Sequence, residues 1–206
     1  MNNQYPIFNG GQSQAKRDFK PGTMIYPLPA VMVSCGETPE EYNIITIAWT
    51  GTICSDPPMC YISVRPGRHS YDIIKRTGEF VINLTTESLA RATDWCGCRS
   101  GRKYNKWKEM NLTPGPARVV KAPVIAESPV NIECRVQQII PLGTHDMFIA
   151  EVVHITAEEA FFDENDAFSL ARARPLVYNH GHYFGLGKKI GKFGWSVEKK
   201  TEKKSR

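Results

Sequence analysis

Residues 42–84 decide the fold of this chain, and they read YNIITIAWTGTICSDPPMCYISVRPGRHSYDIIKRTGEFVINL. Asn43 to Ile53 is rich in Ile, Thr and Trp, while Met59 to Arg65 alternates apolar and more polar residues, so both segments predict β-strands. Residues 55–58, Ser-Asp-Pro-Pro, predict the turn between them. Glu79 to Leu84 predicts a third strand.

A basic segment connects the second of these strands to a short helix. Ser70 is a candidate N-cap, and Gly78 is a candidate end of the helix. Arg65 and Arg68 lie just before this helix, where free backbone N–H groups, the helix dipole and guanidinium donors together favour a phosphate. The same residues also fit an ordinary loop with solvated charges, so on this feature alone both interpretations stay open.

Four motifs follow one another in this stretch. They are N-x-x-T-x-x-W-T-G from Asn43, S-D-P-P-M from Ser55, I-S-V-R-P-x-R-x-S-Y-D-I-I from Ile62 and G-E-F-V-I-N-L from Gly78. Together they resemble the flavin reductase-like family of FMN-binding split barrels and, within it, the flavoredoxin branch. The likeness continues in Ser100-Gly101-Arg102-Lys103, Lys106-Trp107, Pro129 to Val153 and Leu186-Gly187-Lys188, and it covers roughly Met24 to Ser196.

The resemblance implies a mainly β fold with short helices, an antiparallel, Greek-key-like split β-barrel that binds FMN. It places the isoalloxazine ring against Thr46 to Thr50, with the Asn43 side chain at the pyrimidine edge and Trp49 over one face. It places the phosphate at the basic segment. The implied cofactor-binding residues are Asn43, Thr46, Ala48, Trp49, Thr50, Ser63, Val64, Arg65, Arg68, His69, Ser70, Asn83, Leu84, Ser100, Lys103, Lys106, His145 and Tyr183.

Arg99 to Lys108 contains five basic residues in ten, interleaved with Tyr104 and Trp107. This composition fits a charged surface loop. It also fits a second set of cations for the cofactor phosphate or ribityl chain. By resemblance this region lies against FMN, with either Lys103 or Lys106 as the contributing lysine.

The rest of the chain predicts antiparallel pairing. Ala30 to Cys35 predicts a first strand, and residues 86–97 predict a helix that Gly97 ends. Val130 to Ile140 and Asp146 to Ile155 predict a long hairpin. Strands cluster instead of alternating with helices, which disfavours a doubly wound sheet. The glycines in residues 185–191 lack the spacing of a dinucleotide fingerprint and predict a turn-rich segment.

Six cysteines form no paired C-x-x-C motifs, which argues against a zinc ribbon or a thioredoxin-type dithiol. Four of them lie in strand-like segments and predict buried thiols. Cys96 and Cys98 are expected at a helix end beside the basic loop, where a thiolate would be stabilised, so a redox role is an alternative for this pair. The histidines include only one close pair, His180 and His182, and no metal site is predicted.

Length and composition fit a single globular domain, and the lack of a membrane span or a signal-peptide pattern predicts a protein of the cytoplasm. With 206 residues we expect an N-terminal arm over residues 1–22, one domain over 23–197 and a charged tail over 198–206. The net charge of +5 lies partly in that tail, so nucleic acid is not an expected partner. No apolar run approaches the ~18 residues of a membrane span.

The predicted function is an oxidoreductase that passes electrons or hydride through bound FMN. The protein fixes orientation and charge, and no catalytic residue is required because the chemistry belongs to the flavin. The resemblance also implies a homodimer. One alternative is a one-electron carrier that exchanges electrons with a partner such as ferredoxin and has no NAD(P)H site of its own. Others are a non-enzymatic FMN-binding protein and a nucleic-acid-binding protein.

Overall fold

The structure is a computed structural model, and it describes residues 16–198. Most of the predicted arm and tail, residues 1–15 and 199–206, lies outside the described residues. Within the described part the chain forms twelve strands: β1 Leu28–Pro29, β2 Val31–Cys35, β3 Asn43–Ile47, β4 Thr50–Ser55, β5 Pro58–Val64, β6 Glu79–Asn83, β7 Pro114–Gly115, β8 Val124–Ile125, β9 Val130–Pro141, β10 Asp146–Ala157, β11 Leu176–Asn179 and β12 His182–Gly185. The helices are α1 His69–Thr77, α2 Ala90–Cys98 and α3 Lys106–Glu109.

Seven strands form one sheet in the order β3-β2-β6-β9-β10-β5-β4, and all its pairs are antiparallel. The outermost strands β3 and β4 are consecutive in the chain and only Ala48 and Trp49 separate them. Because so short a link spans at most about 11 Å, the sheet must curl until its two edges approach each other. The hydrogen-bond ladder does not continue from β3 to β4. The predicted class, mainly β and antiparallel, is confirmed.

The prediction of one strand from Asn43 to Ile53 is wrong, because the chain turns a corner at Ala48 and Trp49. The Ser63 N–H donates to the Trp49 carbonyl oxygen at 2.9 Å, which fixes the corner against β5. The corner leaves the backbone and side chains of its residues at the end of the curled sheet. The long predicted hairpin is confirmed as β9 and β10.

Alternate side chains of the curled sheet point to its inside and form the main core, as the two-residue period of a strand requires. The inside is filled by Val31, Val33, Cys35, Ile45, Ile47, Cys60, Ile62, Val64, Phe80, Ile82, Cys134, Phe148 and Ala150, with Tyr71, Ile73 and Ile74 of α1 packed against them. On the outside of β2 and β3, Met32 and Ile44 pack against residues of α2 and α3. Helices α2 and α3 are therefore held close to β3.

Two predicted helix ends differ from the structure. Helix α1 begins at His69 with Arg68 as its N-cap, so Ser70 lies in the first turn and is not the cap. Gly97 lies inside α2, which continues to Cys98, because the helix packs its buried face on Thr46 and β3 through this position. The predicted end of α1 at Gly78 is confirmed, with a left-handed φ of 69°.

A small sheet that the sequence did not predict forms from β1, β11 and β12. Its hairpin carries Tyr178 and Tyr183, whose rings are 5.7 Å apart in an edge-to-face arrangement. Tyr183 reaches Asp94 of α2. The hairpin thus forms a wall beside the end of the curled sheet.

Candidate functional site

Two adjoining cavities lie at the end of the curled sheet where the β3–β4 corner meets α1 and α2. The larger, which we call the cleft, has a volume of about 400 Å³. The smaller, which we call the anion pocket, has a volume of about 170 Å³. Both are lined by Ile45, Arg68 and Gly97, so they are continuous along one side.

The anion pocket is built around the N-terminus of α1. No side chain caps this helix, and a helix leaves its first backbone N–H groups without partners of its own. Ser70 is 1% exposed, and its Oγ accepts a hydrogen bond of 2.7 Å from Asn43 Nδ2. Because the serine oxygen accepts from Asn43, its own O–H remains a donor. The pocket thus offers N–H and O–H donors to an anion.

Lys106 supplies a buried positive charge to the same pocket. Its side chain is 4% exposed, and Nζ donates to the carbonyl oxygens of Ile44 at 2.7 Å and Cys96 at 2.6 Å. An ammonium has three donors, so one remains. Within residues 16–198 no carboxylate forms an ion pair with Lys106. Burial lowers the pKa of Lys106 to about 8, as expected for a cation without a counter-ion.

Gly101 closes the anion pocket from the side of the basic loop. A Cβ at this position would lie 2.7 Å from Asn43 Cγ and 2.8 Å from His69 Cδ2. Such distances are shorter than real Cβ contacts, so the loop can pack against α1 and β3 only with glycine here. Ser100 and Arg99 line the pocket beside it.

The cleft combines aromatic walls with cations. Trp49 lies with its ring centroid 4.5 Å from that of His145, and Arg65 Nε donates to His145 Nε2 at 3.3 Å. Burial, followed by the charges of Arg65 and Arg68, lowers the pKa of His145. His145 is therefore held neutral, with Nε2 as an acceptor for Arg65, and the positive charge in this part of the cleft is that of the two arginines.

Most of the residues implied by the resemblance meet at these two cavities. The cleft is lined by Thr46, Ala48, Trp49, Ser63, Val64, Arg65, Arg68, His145 and Tyr183. The anion pocket is lined by Asn43, Arg68, His69, Ser70, Ser100 and Lys106. Asn43 thus lines the anion pocket beside Ser70, whereas Thr46, Ala48 and Trp49 line the cleft.

Four of the implied residues lie elsewhere. The Asn83 side chain is buried and donates to Ser34 Oγ at 2.9 Å, so it serves the packing of β2 and β6. Thr50 Oγ1 donates to the Tyr61 carbonyl oxygen at 2.6 Å, and Leu84 packs against the main core. Lys103 lines neither cavity. Of the two candidate lysines, the structure brings Lys106 to the anion pocket.

Sequence reasoning missed the part of the cleft that α2 and the C-terminal hairpin provide. Asp94 and Cys98 line the cleft from α2, and Tyr178 and Gly181 line it from the hairpin. Asp94 and Cys98 are four residues apart, and this spacing puts two side chains on one face of a helix. That spacing could have indicated that Asp94 and Cys98 lie on the same face of α2. The local sequence gives no sign that either residue lies close to the hairpin.

The predicted thiolate environment is wrong for Cys96. Its side chain is fully buried between β3, α2 and α3, and burial raises the pKa of Cys96 to about 11. Cys98 is exposed and lines the cleft, so the two thiols occupy different environments. Cys35, Cys60 and Cys134 are buried as predicted, and Cys54 is partly buried.

Across residues 16–198, no three or more His, Cys, Asp or Glu side chains cluster in a way that would hold a metal ion. In that same part of the chain, no helix is both long and apolar enough to cross a membrane.

Comparison with known proteins gives the class. Residues 23–187 match the family model described as flavin reductase like domain. The chain therefore belongs to the flavin reductase-like family, which is a family of flavin-related oxidoreductases, and the resemblance seen in the sequence is confirmed.

The chain is similar to proteins of known and of unstated function. A protein of Archaeoglobus fulgidus, whose name states no function, is 32% identical over 139 residues, which is 68% of this chain and 77% of that protein. The NADH-dependent FMN reductase AsuE2 of Streptomyces nodosus subsp. asukaensis is 23% identical over 85% of this chain and 88% of its own. The solved flavoredoxin of Desulfovibrio vulgaris (Miyazaki F) superposes with a TM-score of 0.83 at 26% identity, covering 89% of this chain and 100% of its own.

Proposed function

We propose that this protein is an FMN-binding oxidoreductase that passes electrons or hydride through the bound flavin. The proposal rests mainly on the surroundings of Lys106. This buried cation has no carboxylate partner within residues 16–198, and it lies beside the uncapped start of α1. A phosphate would supply the missing negative charge. The aromatic cleft that continues from this pocket offers room for a flat ring system.

The residues present fit FMN at both ends. The phosphate would be held by Ser70, Lys106, Arg68 and the N–H groups of α1 in the anion pocket. The ring system would lie in the cleft against Thr46 to Trp49, where the β3–β4 corner presents backbone groups and an indole face. When bound, FMN supplies the electron or hydride chemistry. The cations Arg65 and Arg68 favour negative charge in the cleft.

The central test of this proposal is whether the purified protein contains a flavin, and which one. We expect a yellow protein that releases FMN, and not FAD, on denaturation, because the anion pocket accommodates one phosphate group. Chromatography of the released flavin identifies it. A colourless protein whose absorption spectrum does not change on adding FMN would contradict the proposal.

NAD(P)H is the electron donor that we propose, since the AsuE2 relative is named as NADH-dependent. Stopped-flow bleaching of the bound flavin by NADH, NADPH or reduced ferredoxin discriminates the candidates. Bleaching by ferredoxin alone would favour a one-electron carrier. Bleaching by dithionite alone would favour a non-enzymatic FMN-binding protein.

The Arg68→Ala variant should bind FMN more weakly while binding riboflavin as the wild type does. Arg68 lines both cavities and is exposed, so the expected loss is about 1.5–3 kcal/mol, the usual range for a hydrogen bond to a charged group. Riboflavin lacks the phosphate and reports any general damage to the cleft. Titration of both flavins by fluorescence quenching measures the difference, and equal losses would make Arg68 a structural residue.

The affinity for FMN should fall above about pH 8, the pKa of Lys106. The charged lysine attracts the phosphate, and a bound phosphate raises its pKa in turn, so binding above this pH requires proton uptake. We expect the FMN dissociation constant to rise by up to about tenfold per pH unit, until the pH reaches the raised pKa of the complex. Riboflavin titrations over the same pH range are the control. A parallel change for both flavins would contradict the role of Lys106.

We also propose a homodimer. Strand β4 leaves one edge of the sheet unpaired within the described chain, and Ile53 on it is 48% exposed. Next to this edge lies a largely apolar trough of about 290 Å³ to which Val31, Met59 and Ile155 contribute. Light scattering after size-exclusion chromatography tests the assembly, and a monomeric mass would overturn it.

A further inference from the structure

One wall of the anion pocket is formed by the loop between α2 and α3, and we call residues 99–105 the cover loop. Its first three residues line the pocket, opposite Gly67 and the start of α1. The backbone N–H groups of Lys103 and Tyr104 donate to the Ser100 carbonyl oxygen at 3.0 and 3.2 Å. These bonds fold the loop on itself, so its position across the pocket depends on packing and on side-chain contacts.

Arg102 supplies the hydrogen bonds that join the cover loop to the opposite wall. Its Nη1 donates to the Gly67 carbonyl oxygen at 3.0 Å, and its Nη2 donates to Asp72 Oδ2 on α1 at 3.4 Å. Among the hydrogen bonds of residues 16–198, these two are the ones that connect this loop with residues 66–72. A guanidinium carries its donors in a fixed fork, so one side chain holds both partners at once.

Arg102 acts from outside the pocket. It lines neither cavity, and its side chain is 50% exposed. Its bonds to Gly67 and Asp72 therefore need no ligand, and its guanidinium is not among the groups that would hold a phosphate. Asp72 is 70% exposed, and an ion pair between exposed groups contributes little. The contacts thus hold the loop in place but are weak enough to open and re-form.

The cover loop lies directly on the pocket at Gly101. A Cβ there would overlap the side chain of Asn43, whose Nδ2 donates to Ser70 Oγ in the pocket. The other walls belong to β3 and the helices, together with the short turn before α1. The cover loop is therefore the wall that can move without breaking a strand or a helix.

We propose that Arg102 is a positioning residue that holds the cover loop closed over the phosphate of FMN and so sets how fast FMN enters and leaves. The inference rests on the proposed function for the identity of the ligand. It deepens that function, because slow exchange makes FMN a resident cofactor whereas fast exchange makes it a released substrate. A direct contact with the phosphate slows departure alone, but a cover slows entry and departure together.

The test is stopped-flow fluorescence at several FMN concentrations, where the slope of the observed rate gives kon and the intercept gives koff. Arg102→Gln should raise both about five- to tenfold and leave Kd within about threefold. Asp72→Asn keeps the bond to Gly67 and should raise both by a smaller factor. Riboflavin has no phosphate to cover, so its rates should change less than about twofold. Lys103→Gln removes an adjacent exposed charge that makes no side-chain hydrogen bond within residues 16–198, and it should accelerate neither step.

Unchanged rates in Arg102→Gln would overturn the inference. So would a rise in koff alone with an equal rise in Kd, because it would mean that Arg102 contacts the phosphate itself. Equal acceleration for FMN and riboflavin would also overturn it, since that result would mean a loosened cleft and not an opened cover.

A measurement on flavin-free protein separates this inference from the proposed function. His69 lies under Gly101, and burial, followed by the charges of Arg102 and Lys106, lowers the pKa of His69, while Asp72 acts to raise it. Opening the loop exposes the imidazole, so in Arg102→Gln the pKa of His69 should rise in an NMR titration. The rise should persist at about 0.5 M salt, where the effect of the lost charge is screened.

A rise that disappears at high salt would show that the loop stays closed without Arg102, and would overturn the inference. A wild type that binds no FMN would remove the proposed function. The titration of His69 would still decide whether Arg102 holds the cover loop closed.

Discussion

The Lys106→Met variant should lose most of its affinity for FMN, by roughly 2–5 kcal/mol, the range for removing one partner of a buried charge pair. The effect should exceed that of Arg68→Ala, because Lys106 is 4% exposed whereas Arg68 is open to solvent. A charge shielded from water interacts more strongly with its partner. Methionine keeps much of the length and apolar volume of the lysine stem.

Two comparisons separate a phosphate contact from damage to the fold. Lys106 also donates to the carbonyl oxygens of Ile44 and Cys96, so the variant should be somewhat less stable, and its denaturant midpoint must be measured beside its affinities. Riboflavin binding reports the intact cleft. Lys103→Met removes a neighbouring lysine that lines neither cavity and should bind FMN nearly as the wild type does.

Equal losses of FMN and riboflavin in Lys106→Met would contradict the assignment of the phosphate to the anion pocket. A larger loss in Lys103→Met than in Lys106→Met would move the phosphate to the outer part of the basic loop. Isothermal titration at about pH 7, where Lys106 is charged, gives both affinities.

The Glu133→Ala variant should lower the free energy of unfolding by roughly 3–5 kcal/mol, because each buried donor left without a partner costs about 1–3 kcal/mol. Glu133 on β9 is fully buried and accepts hydrogen bonds from the backbone N–H groups of Arg118, Val119 and Val120, at 2.8, 2.7 and 3.1 Å. These bonds hold residues 118–120 against the sheet. Alanine would leave three donors without the carboxylate.

Glu127→Ala is the matched control, since this carboxylate also accepts from a backbone N–H, that of Thr113 at 3.0 Å, but is exposed to solvent. We expect a loss of about 1 kcal/mol or less there. Guanidinium unfolding followed by circular dichroism measures both variants. A loss below about 1 kcal/mol in Glu133→Ala would show that water replaces the carboxylate.

The same carboxylate makes stability depend on pH. Burial acts to raise the pKa of Glu133, but the three backbone donors outweigh it and the pKa is lowered. A lowered pKa means that the stabilisation is present above about 4.3, the value of an unfolded glutamate, and is lost as the pH falls through the folded value. Glu133→Gln should unfold with a weaker dependence on pH in that acid range.

Much of the fold and of the anion pocket was predictable from local sequence. Strands β5 and β6, the hairpin of β9 and β10 and the helix end at Gly78 follow from side-chain alternation and turn residues, which act over a few positions. The arginines near the start of α1 indicated an anion site for the same reason. These features need no knowledge of distant residues.

Other parts of the site depended on long-range contacts. Nothing in the alternation of Asn43 to Ile53 shows that the chain turns at Trp49, because the corner is required only when the sheet curls and its edges approach. Asn83 lies in a motif that resembles the family, yet its side-chain amide donates hydrogen bonds to Ser34 Oγ and to a neighbouring backbone carbonyl oxygen. Burial and hydrogen-bond partners of this kind cannot be read from one strand.

The sequence alone determined the class of fold, the family and the basic segment that begins α1. Only the tertiary structure distinguished Lys103 from Lys106. It buries Lys106 against β3 and α2 beside the anion pocket, whereas Lys103 lines neither cavity, and their local sequence does not show this difference. The tertiary structure also brought Tyr183 to Asp94, which is 89 positions away, and so placed the hairpin of β11 and β12 beside α2 at the cleft. Local propensities act over a few residues, whereas charge pairing and pocket shape depend on which distant segments the packed core brings together.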